Sequence, residues 1–555
     1  MQIIIPMSGF GERFRAAGYA VPKPLIEVDG KTIIQHVVEM FPGETDFVFI
    51  CNKDHLAEPK YRMREILELI CPTGKIIPIS THKLGPVYAV MQALDNIDES
   101  KPVIVNYCDF TCYWDYNHFK EFVVKADSDG VIPSYRGFHP HTLWSNYYAY
   151  VREENFHAYD IKEKQPFTDS PRNEFASSGT YYFKSADLMQ KYFQCCMDRK
   201  LMVNKEYYVS MVYKLMIDGG LNVHVYELQH FMQWGTPADL EEYRYWSNIF
   251  KAMLKRKEPP QHEGALLLPM VGLGSRFRSE GYEIPKPMIS VSGKPMAVRA
   301  VNDLPQTDRK RFVLRDDLPG LKQLKTALCS DFRNAEFSIL DHMTDGQATT
   351  CVEGSVGLEK NQPVTIAACD NGMVYAPEQF SALMQDDSVD VIVWGARGYP
   401  GAIRSPNMYG WIDVDQESGS IRNVSVKVPL SNPKNDPIIV GAFTFRRLGD
   451  FLDAVARMKG RKAMVNGEYY VDMVINDAIA LGKNCRLMEI DYYICWGTPS
   501  DLQTFEYWQS CFHKWVSHPY SLENDPNVDK VAAAILEHKY RHYVPEKLSV
   551  ITGLK

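Results

Sequence analysis

The chain repeats itself once along its length, and this repeat constrains the fold more than any other feature. The segment IPMSGFGERFRAAGYAVPKPLIEVDGK at 5–31 recurs as LPMVGLGSRFRSEGYEIPKPMISVSGK at 268–294. NKEYYVSMV at 204–212 likewise recurs as NGEYYVDMV at 466–474. A period of this length is too long for a solenoid, so it indicates a whole domain that was duplicated.

The repeat also predicts where the domains begin and end. We expect one domain at 1–254 and a second at 264–516. The segment KRKEPPQHE at 255–263 is charged and contains two prolines, a composition that is typical of a linker. A C-terminal extension at 517–555 is unmatched in the first half.

The extension is predicted to be helical. Its residues Val531, Ile535 and Leu536 follow helical spacing. We expect this helix to pack against a neighbouring domain or a second subunit, which makes a homo-oligomer formed through the tail a prediction.

Composition excludes several classes of protein. Of the 555 residues, 45% are hydrophobic and 23% are charged, which is ordinary for a globular chain. The net charge of −8 gives no basic footprint for nucleic acid. No apolar run approaches 18 residues, so no membrane insertion is expected. The N-terminus lacks signal-peptide features, and the 12 cysteines show no metal-binding pattern, so we expect reduced thiols and a cytoplasmic location.

Within each half, apolar strands alternate with helical segments. Strands are predicted at 46–51 and 103–107, and helices at 32–40 and 55–69. This alternation indicates an α/β fold with a mostly parallel sheet and helices on both faces. Because ligands bind beyond the carboxyl ends of such strands, we expect the glycine-containing loop after the first strand and Asp109 to lie in one site.

The glycine-containing loop carries the chemistry that the sequence indicates most clearly. Gly9 and Gly11 let backbone N–H groups approach phosphate oxygens. Arg13 offers a planar donor fork and Lys23 offers a point charge. The second half repeats the set as Gly272, Gly274, Arg276 and Lys286.

The combination of Gly-x-Gly-x-Arg with a downstream Pro-Lys resembles the signature of the sugar-phosphate nucleotidyltransferase family. The resemblance covers nearly all of each half. It implies two tandem Rossmann-like domains of the GT-A-like kind. It also implies that Arg13, Lys23, Arg276 and Lys286 are catalytic and that both glycine pairs bind nucleotide.

The same resemblance implies positions for the nucleobase and the metal. Gly85 and Gly346 resemble the segment in which the family holds the base. Asp109 and Asp370 resemble its magnesium-binding aspartate, with manganese as an alternative ion. Magnesium favours oxygen ligands and substrate phosphates, which suits a carboxylate at a strand end.

Positions for the acceptor follow in the same way. Lys164 and Lys427 resemble the lysine that holds the sugar phosphate. Gly179 and Gly441 resemble the glycine of the strand beside the sugar.

The chain departs from the family at one point. Where many relatives carry a second metal-binding aspartate, this chain has Gln233 and Cys495. Asp239 and Asp501 follow a few residues later, and we expect them to cap the next helix. The metal is then held by one protein carboxylate and the triphosphate, or else the two halves are less active than their loops indicate.

The resemblance implies transfer of a nucleotidyl group from a nucleoside triphosphate to a small phosphorylated acceptor, with release of pyrophosphate. Capsule or surface-polysaccharide precursors are the expected setting, and two different substrates are plausible. A cytidylyltransferase for a non-sugar phosphate is an alternative. A GT-A glycosyltransferase is another, with Asp127–Asp129 or Asp413–Asp415 as its Asp-x-Asp motif. In a third alternative, one half is a non-catalytic ligand-binding or regulatory domain.

Overall fold

The computed structural model describes residues 1–540, which form two compact units. The first unit comprises Met1–Arg244 and Lys514–His518, and the second comprises Tyr245–His513 and Pro519–Tyr540. Residues 541–555 of the predicted tail lie outside the described part of the chain. The domain limits expected from the sequence stay predictions.

The first unit is built around a ten-stranded sheet. The strands of this unit are β1 (Gln2–Met7), β2 (Glu27–Val28), β3 (Lys31–Thr32), β4 (Asp46–Asn52), β5 (Lys75–Ile79), β6 (Val103–Asn106), β7 (Phe110–Tyr113), β8 (Gly130–Tyr135), β9 (Ala149–Glu154), β10 (His157–Glu163), β11 (Phe175–Ser177), β12 (Thr180–Phe183), β13 (Val223–Glu227) and β14 (His230–Gln233). The sheet order is β11-β9-β10-β13-β8-β12-β6-β1-β4-β5. β2 pairs with β3, and β7 pairs with β14.

Helices cover this sheet. They are α1 (Glu12–Ala16), α2 (Ile33–Glu39), α3 (Lys53–Ala57), α4 (Met63–Ile70), α5 (Pro86–Met91), α6 (Tyr116–Lys125), α7 (Ala186–Asp198) and α8 (Val209–Asp218). The helix α9 (Pro237–Met253) begins in this unit, and its residues from Tyr245 onward belong to the second. Short 3-10 turns lie at Lys23–Leu25, Pro59–Tyr61, Leu94–Asn96, Pro140–Leu143 and Pro171–Asn173. Ile3, Ile4 and Ile5 of β1 are fully buried, as expected for a strand covered on both faces.

The second unit repeats this plan. Its strands are β15 (Ala265–Pro269), β16 (Ser290–Val291), β17 (Lys294–Pro295), β18 (Arg309–Arg315), β19 (Ala335–Leu340), β20 (Val364–Ala367), β21 (Asn371–Val374), β22 (Val391–Ala396), β23 (Gly410–Val414), β24 (Ile421–Val426), β25 (Ile438–Phe445), β26 (Cys485–Glu489) and β27 (Tyr492–Cys495). Its helices are α10 (Ser275–Ser279), α11 (Met296–Val301), α12 (Leu321–Asp331), α13 (Gln347–Gly354), α14 (Pro377–Gln385), α15 (Pro400–Arg404), α16 (Leu448–Gly460), α17 (Val471–Ala480), α18 (Pro499–Lys514) and α19 (Lys530–Tyr540). Its 3-10 turns are Lys286–Met288, Pro406–Met408 and Leu522–Asn524.

The central strand order of the second unit, β19-β18-β15-β20-β25-β22-β26, corresponds strand for strand to that of the first. The α/β fold class predicted from the sequence is therefore confirmed. Parallel pairing joins β5, β4, β1 and β6, whereas β12 runs antiparallel to β6. Each sheet is thus mixed, with parallel pairs around β1 or β15 and a further parallel pair, β8 with β13 or β22 with β26.

One predicted helix is interrupted. The segment expected to be helical at 55–69 forms the end of α3, a 3-10 turn and most of α4. Pro59 opens the turn, and Arg62 adopts a left-handed backbone with φ +48°. A proline without an N–H and a left-handed residue each stop an α-helix.

The tail residues Pro519–Tyr540 belong to the second unit and pack within it. Ala532, Leu536 and Tyr540 of α19 are buried, and Tyr540 donates a hydrogen bond to Gln509 of α18. Val531 and Ile535, which the sequence placed on the packing face with Leu536, are mostly exposed. Across residues 1–540 the structure contains no helix with the length and apolar character that a membrane crossing requires.

Candidate functional site

The glycine loop joins β1 to α1 and passes directly against the predicted lysine. Gly11 has φ +63°, a left-handed backbone that glycine adopts without strain. A Cβ on Gly11 would lie 3.9 Å from the backbone nitrogen of Lys23. Gly274 repeats this geometry with φ +60°, and a Cβ there would lie 3.2 Å from the Cβ of Lys286. The second glycine of each loop therefore allows both the turn and the close approach of the lysine segment.

Each lysine forms an ion pair with the strand-end aspartate of its own unit. Lys23 Nζ lies 2.8 Å from Asp109 Oδ2, and Lys286 Nζ lies 2.5 Å from Asp370 Oδ2. Burial by itself would lower the pKa of Lys23 and of Lys286, but the facing carboxylates raise both above their ordinary value. Both lysines are therefore charged at neutral pH.

A cavity of about 400 Å³ opens beside this pair in the first unit, a volume within the range of small-molecule sites. Six of the predicted site residues line it: Gly9, Gly11, Arg13, Lys23, Gly85 and Asp109. The Arg13 side chain is exposed, and it donates no hydrogen bond to any residue of the described chain. Its guanidinium is therefore available to an anionic ligand.

The two glycines predicted to lie beside the nucleobase pack against the Glu-Tyr-Tyr segments at 206–208 and 468–470. Gly85 has φ +88°, and a Cβ there would lie 2.7 Å from the carbonyl oxygen of Tyr207. Gly346 has φ +136°, and its Cβ would lie 2.7 Å from the carbonyl oxygen of Tyr469. These glycines allow the backbones to pack closely, which brings the residues flanking Tyr207 to the cavity.

Histidine and lysine side chains complete this end of the cavity. His82 Nδ1 accepts a hydrogen bond from the backbone N–H of Leu84, so Nε2 donates to Ser8 Oγ at 3.3 Å. Burial lowers the pKa of His82. Lys83 pairs with Glu12 at 2.6 Å across the cavity mouth.

Each predicted acceptor lysine donates a hydrogen bond to a tyrosine hydroxyl. Lys164 Nζ donates to the hydroxyl of Tyr208 at 2.6 Å, and that hydroxyl donates to Glu206. Tyr208 and Glu206 both line the cavity. Lys427 Nζ donates to the Tyr470 hydroxyl at 3.0 Å in the second unit.

The acceptor-side glycines act on neighbouring residues. Gly179 has φ +96°, its carbonyl accepts from Tyr107 N–H, and its Cβ would lie 2.9 Å from the Tyr107 ring. Tyr107 lines the cavity, so Gly179 contributes by letting this ring pack. Gly441, with φ +74°, accepts a hydrogen bond from the Ala368 N–H just before Asp370.

The predicted metal position has different side chains in the two units. A Cβ on Gly235 would lie 2.6 Å from the Gln233 side-chain amide and 3.3 Å from Asp109 Oδ2, so the two side chains are neighbours. This oxygen-donor set fits a magnesium ion that is bound chiefly by phosphate. Within residues 1–540 no group of three or more His, Cys, Asp or Glu side chains is arranged to hold a metal by itself.

In the second unit the neighbour of Asp370 is the thiol of Cys495. Burial raises the pKa of Cys495 well above its usual value, and the charges of Asp501 and Asp370 raise it further. A protonated thiol is a poor ligand for magnesium, which favours oxygen. The second unit therefore fits this metal less well.

The late aspartates do cap the next helix. Asp239 accepts hydrogen bonds from the backbone and the hydroxyl of Thr236, and Thr236 accepts from the Asp239 N–H. Thr498 and Asp501 form the matching contacts before α18. These reciprocal bonds form a capping box with proline at the first helical position.

The Asp-x-Asp pairs lie in structural positions. Asp127 pairs with Lys184, and Asp129 accepts from the Asn222 N–H. Asp413 on β23 pairs with Arg422, and Asp415 accepts bonds from the turn that follows.

These features define an α/β unit that gathers a glycine loop, two cations and a carboxylate around one cavity. Residues 3–165 match the family model described as the MobA-like NTP transferase domain. This part of the chain is therefore similar to a family of nucleotidyltransferases. That both units belong to the family stays a prediction.

Curated proteins and solved structures give further similarities. The chain is 30% identical over 109 residues to the bifunctional protein GlmU of Ralstonia pickettii (strain 12J), which covers 20% of this chain and 22% of that protein. This chain thus spans about a fifth of the length of that relative. A nucleoside-diphosphate-sugar pyrophosphorylase from Vibrio cholerae RC9 is 20% identical, covering 43% of this chain and 98% of that one, with a TM-score of 0.36. The inositol-1-phosphate CTP transferase from T. maritima is 14% identical, covering 45% and 96%, with a TM-score of 0.35.

Sequence reasoning missed several residues that line the cavity. They are Ser8, Glu12, His82, Lys83, Tyr107, Glu206 and Tyr208. A signal existed for two of them, because the Glu-Tyr-Tyr triplet that contains Glu206 and Tyr208 recurs in the second half. The roles of all the predicted site residues stay predictions.

Proposed function

We propose that the chain transfers a nucleotidyl group from a nucleoside triphosphate to a sugar 1-phosphate or a similar small phosphate and releases pyrophosphate. One observation carries the proposal: in the first unit the glycine loop, Arg13, Lys23 and Asp109 line a single cavity. This supports binding of a triphosphate by backbone N–H groups and two cations.

The catalytic task of these residues is positioning and charge stabilisation. Lys23 and Arg13 bind the leaving pyrophosphate and stabilise the charge that develops on it. Lys164, held by Tyr208, positions the attacking phosphate oxygen. The acceptor oxygen forms a bond to the α-phosphorus as the bond to the pyrophosphate breaks.

Magnesium, when bound, would neutralise phosphate charge and orient the triphosphate, with Asp109 and Gln233 as its protein ligands. The second unit would use Arg276, Lys286, Asp370 and Lys427 in the same roles. Polysaccharide precursors and a cytoplasmic location remain part of the proposal, as does a different substrate for each unit.

The test is a matrix of the common nucleoside triphosphates against phosphorylated acceptors, with pyrophosphate release measured on the full chain. The variant that carries both Lys23→Met and Lys286→Met should lose release. A matched control carries Lys31→Met and Lys294→Met, because these lysines form only partly exposed ion pairs outside the sites. Full release by the Lys23/Lys286 variant would contradict the assignment, and release of nucleoside diphosphate would favour a glycosyltransferase.

A further inference from the structure

The two predicted acceptor lysines are held in the same way. Lys164 and Lys427 both have left-handed backbones, with φ +59° and +58°. Each lysine N–H donates to a tyrosine carbonyl, that of Tyr148 or of Tyr409. This common geometry allows the surroundings of the two lysines to be compared position by position.

A carboxylate lies beside the lysine in both units, but it comes from different elements. In the first unit Glu163 at the end of β10 accepts a hydrogen bond from Ser210 of α8 at 2.7 Å. In the second unit Val426 occupies the place of Glu163, and Asp472 of α17 occupies the place of Ser210. The carboxylate has thus moved from the strand to the helix.

A third difference makes room for the relocated carboxylate. Ala149, which follows Tyr148, is replaced by Gly410 after Tyr409. A Cβ on Gly410 would lie 2.5 Å from Asp472 Oδ2, which is closer than real Cβ contacts allow. The glycine and the aspartate therefore belong together as one arrangement.

Asp472 differs from Glu163 in accepting no hydrogen bond from another residue of the described chain. Within residues 1–540 its side chain accepts no hydrogen bond from another residue and forms no ion pair. Burial raises the pKa of Asp472 to about 6, while the Lys427 charge opposes the rise, so the carboxylate is mostly ionised at neutral pH. A partly buried carboxylate that accepts no hydrogen bond from another side chain can bind a cationic group of a ligand.

We propose that the second unit selects an acceptor that carries a protonated amine as well as its phosphate, with the phosphate at Lys427 and the amine at Asp472. The inference rests on the proposed function, since it names the acceptor class of that site. The class is a phosphate monoester with a primary amine, such as an aminoalkyl phosphate or an amino-sugar 1-phosphate. In the first unit Glu163 already accepts a hydrogen bond from Ser210, so we expect no preference for an amine there.

The experiment uses the full chain with Lys164→Met, which removes the acceptor lysine of the first unit. Binding of 2-aminoethyl phosphate is compared with that of ethyl phosphate, which lacks the amine, by calorimetry. The parent should bind the amine at least about tenfold more tightly, since hydrogen bonds to charged groups contribute that much. Asp472→Asn should abolish the preference for the amine.

Two further variants keep the test independent of folding defects. Gly410→Ala should also reduce the preference, because its methyl group displaces the carboxylate. The pair Val426→Glu with Asp472→Ser, which copies the first unit, should bind both phosphates alike. Equal binding of both phosphates by the parent, no binding of either, or a preference that survives in Asp472→Asn would each overturn the inference.

Failure of this inference is distinguishable from failure of the proposed function. Pyrophosphate release by the second unit with neutral sugar phosphates alone would overturn the amine site and leave nucleotidyl transfer intact. Asp472-dependent binding of 2-aminoethyl phosphate, with no release from any triphosphate and acceptor, would support the amine site and contradict nucleotidyl transfer.

Discussion

The two units share the glycine loop and the lysine–aspartate pair of the proposed triphosphate site and differ at the proposed metal and acceptor positions. Both have the left-handed glycine and the lysine–aspartate pair. They differ where Gln233 is replaced by Cys495 and where Glu163 gives way to Asp472. After duplication, the groups that a common ligand requires are thus the ones that recur.

The physical reason lies in the chemistry of each group. Phosphate oxygens require close backbone N–H groups and cations, and few residue types supply them. An acceptor is recognised by whichever polar groups match it, and the carboxylate can come from either of two neighbouring elements. Four predictions test this comparison.

The largest effect is expected from the loop lysines taken singly. Lys23→Met should reduce pyrophosphate release from the first unit by about 10²–10³-fold, because a positioned charge that stabilises the transition state is lost. Lys286→Met should do the same for the second unit. Each unit is measured in a full chain in which the loop lysine of the other unit is already changed to Met. Any pyrophosphate release then reports on one unit alone. A remaining activity equal to the parent in either case would contradict the equivalence of the two loops.

The glycines at the nucleobase segments should matter for stability in both units. Gly85→Ala and Gly346→Ala place a methyl group against the carbonyls of Tyr207 and Tyr469 at positive φ. Each should lower the free energy of unfolding by about 1–3 kcal/mol, as measured by urea denaturation. Gly9→Ala and Gly272→Ala are controls, because a Cβ at either position meets nothing within 4 Å. A loss in the controls as large as in the test variants would refute the close-packing argument.

The metal position should respond to an exchange of its side chains. Cys495→Asp supplies a second oxygen ligand beside Asp370 and should tighten magnesium binding by the nucleotide complex of the second unit by about tenfold. Gln233→Cys should weaken it in the first unit. The readout is the magnesium dependence of thermal stability with triphosphate present. Cys329→Asp, at an exposed cysteine, is the control and should leave the magnesium dependence unchanged. An unchanged dependence in Cys495→Asp would contradict the prediction that this position contributes to metal binding.

The smallest effect is expected at the mouth of the first cavity. Lys83→Thr introduces the residue that stands at the matching position of the second unit, Thr344. Because the Lys83–Glu12 pair is largely exposed, stability should not change measurably. Triphosphate affinity should fall by about two- to fivefold and depend less on salt, since one cation near the phosphates is removed. Unchanged affinity and salt dependence would mean that Lys83 does not meet the triphosphate.

Sequence patterns predicted regular elements well where local chemistry decides them. The strand expected at 46–51 is β4, and the helix expected at 32–40 is α2, which Thr32 caps. The sequence patterns gave wrong predictions where backbone geometry or tertiary packing decided the structure. Arg62 interrupts a predicted helix, and Ala532 rather than Val531 packs into the core, because the face that a helix buries depends on its neighbours.

The sequence by itself determined that the chain contains a repeated α/β pattern and that each half has a glycine loop with its lysine and strand-end aspartate. These follow from short spacings and from glycines that the backbone requires locally. Only the tertiary structure decided that Glu206 and Tyr208 border the cavity and that Asp472 lies beside Gly410. Those residues are far apart along the chain, so their proximity depends on how strands and helices pack.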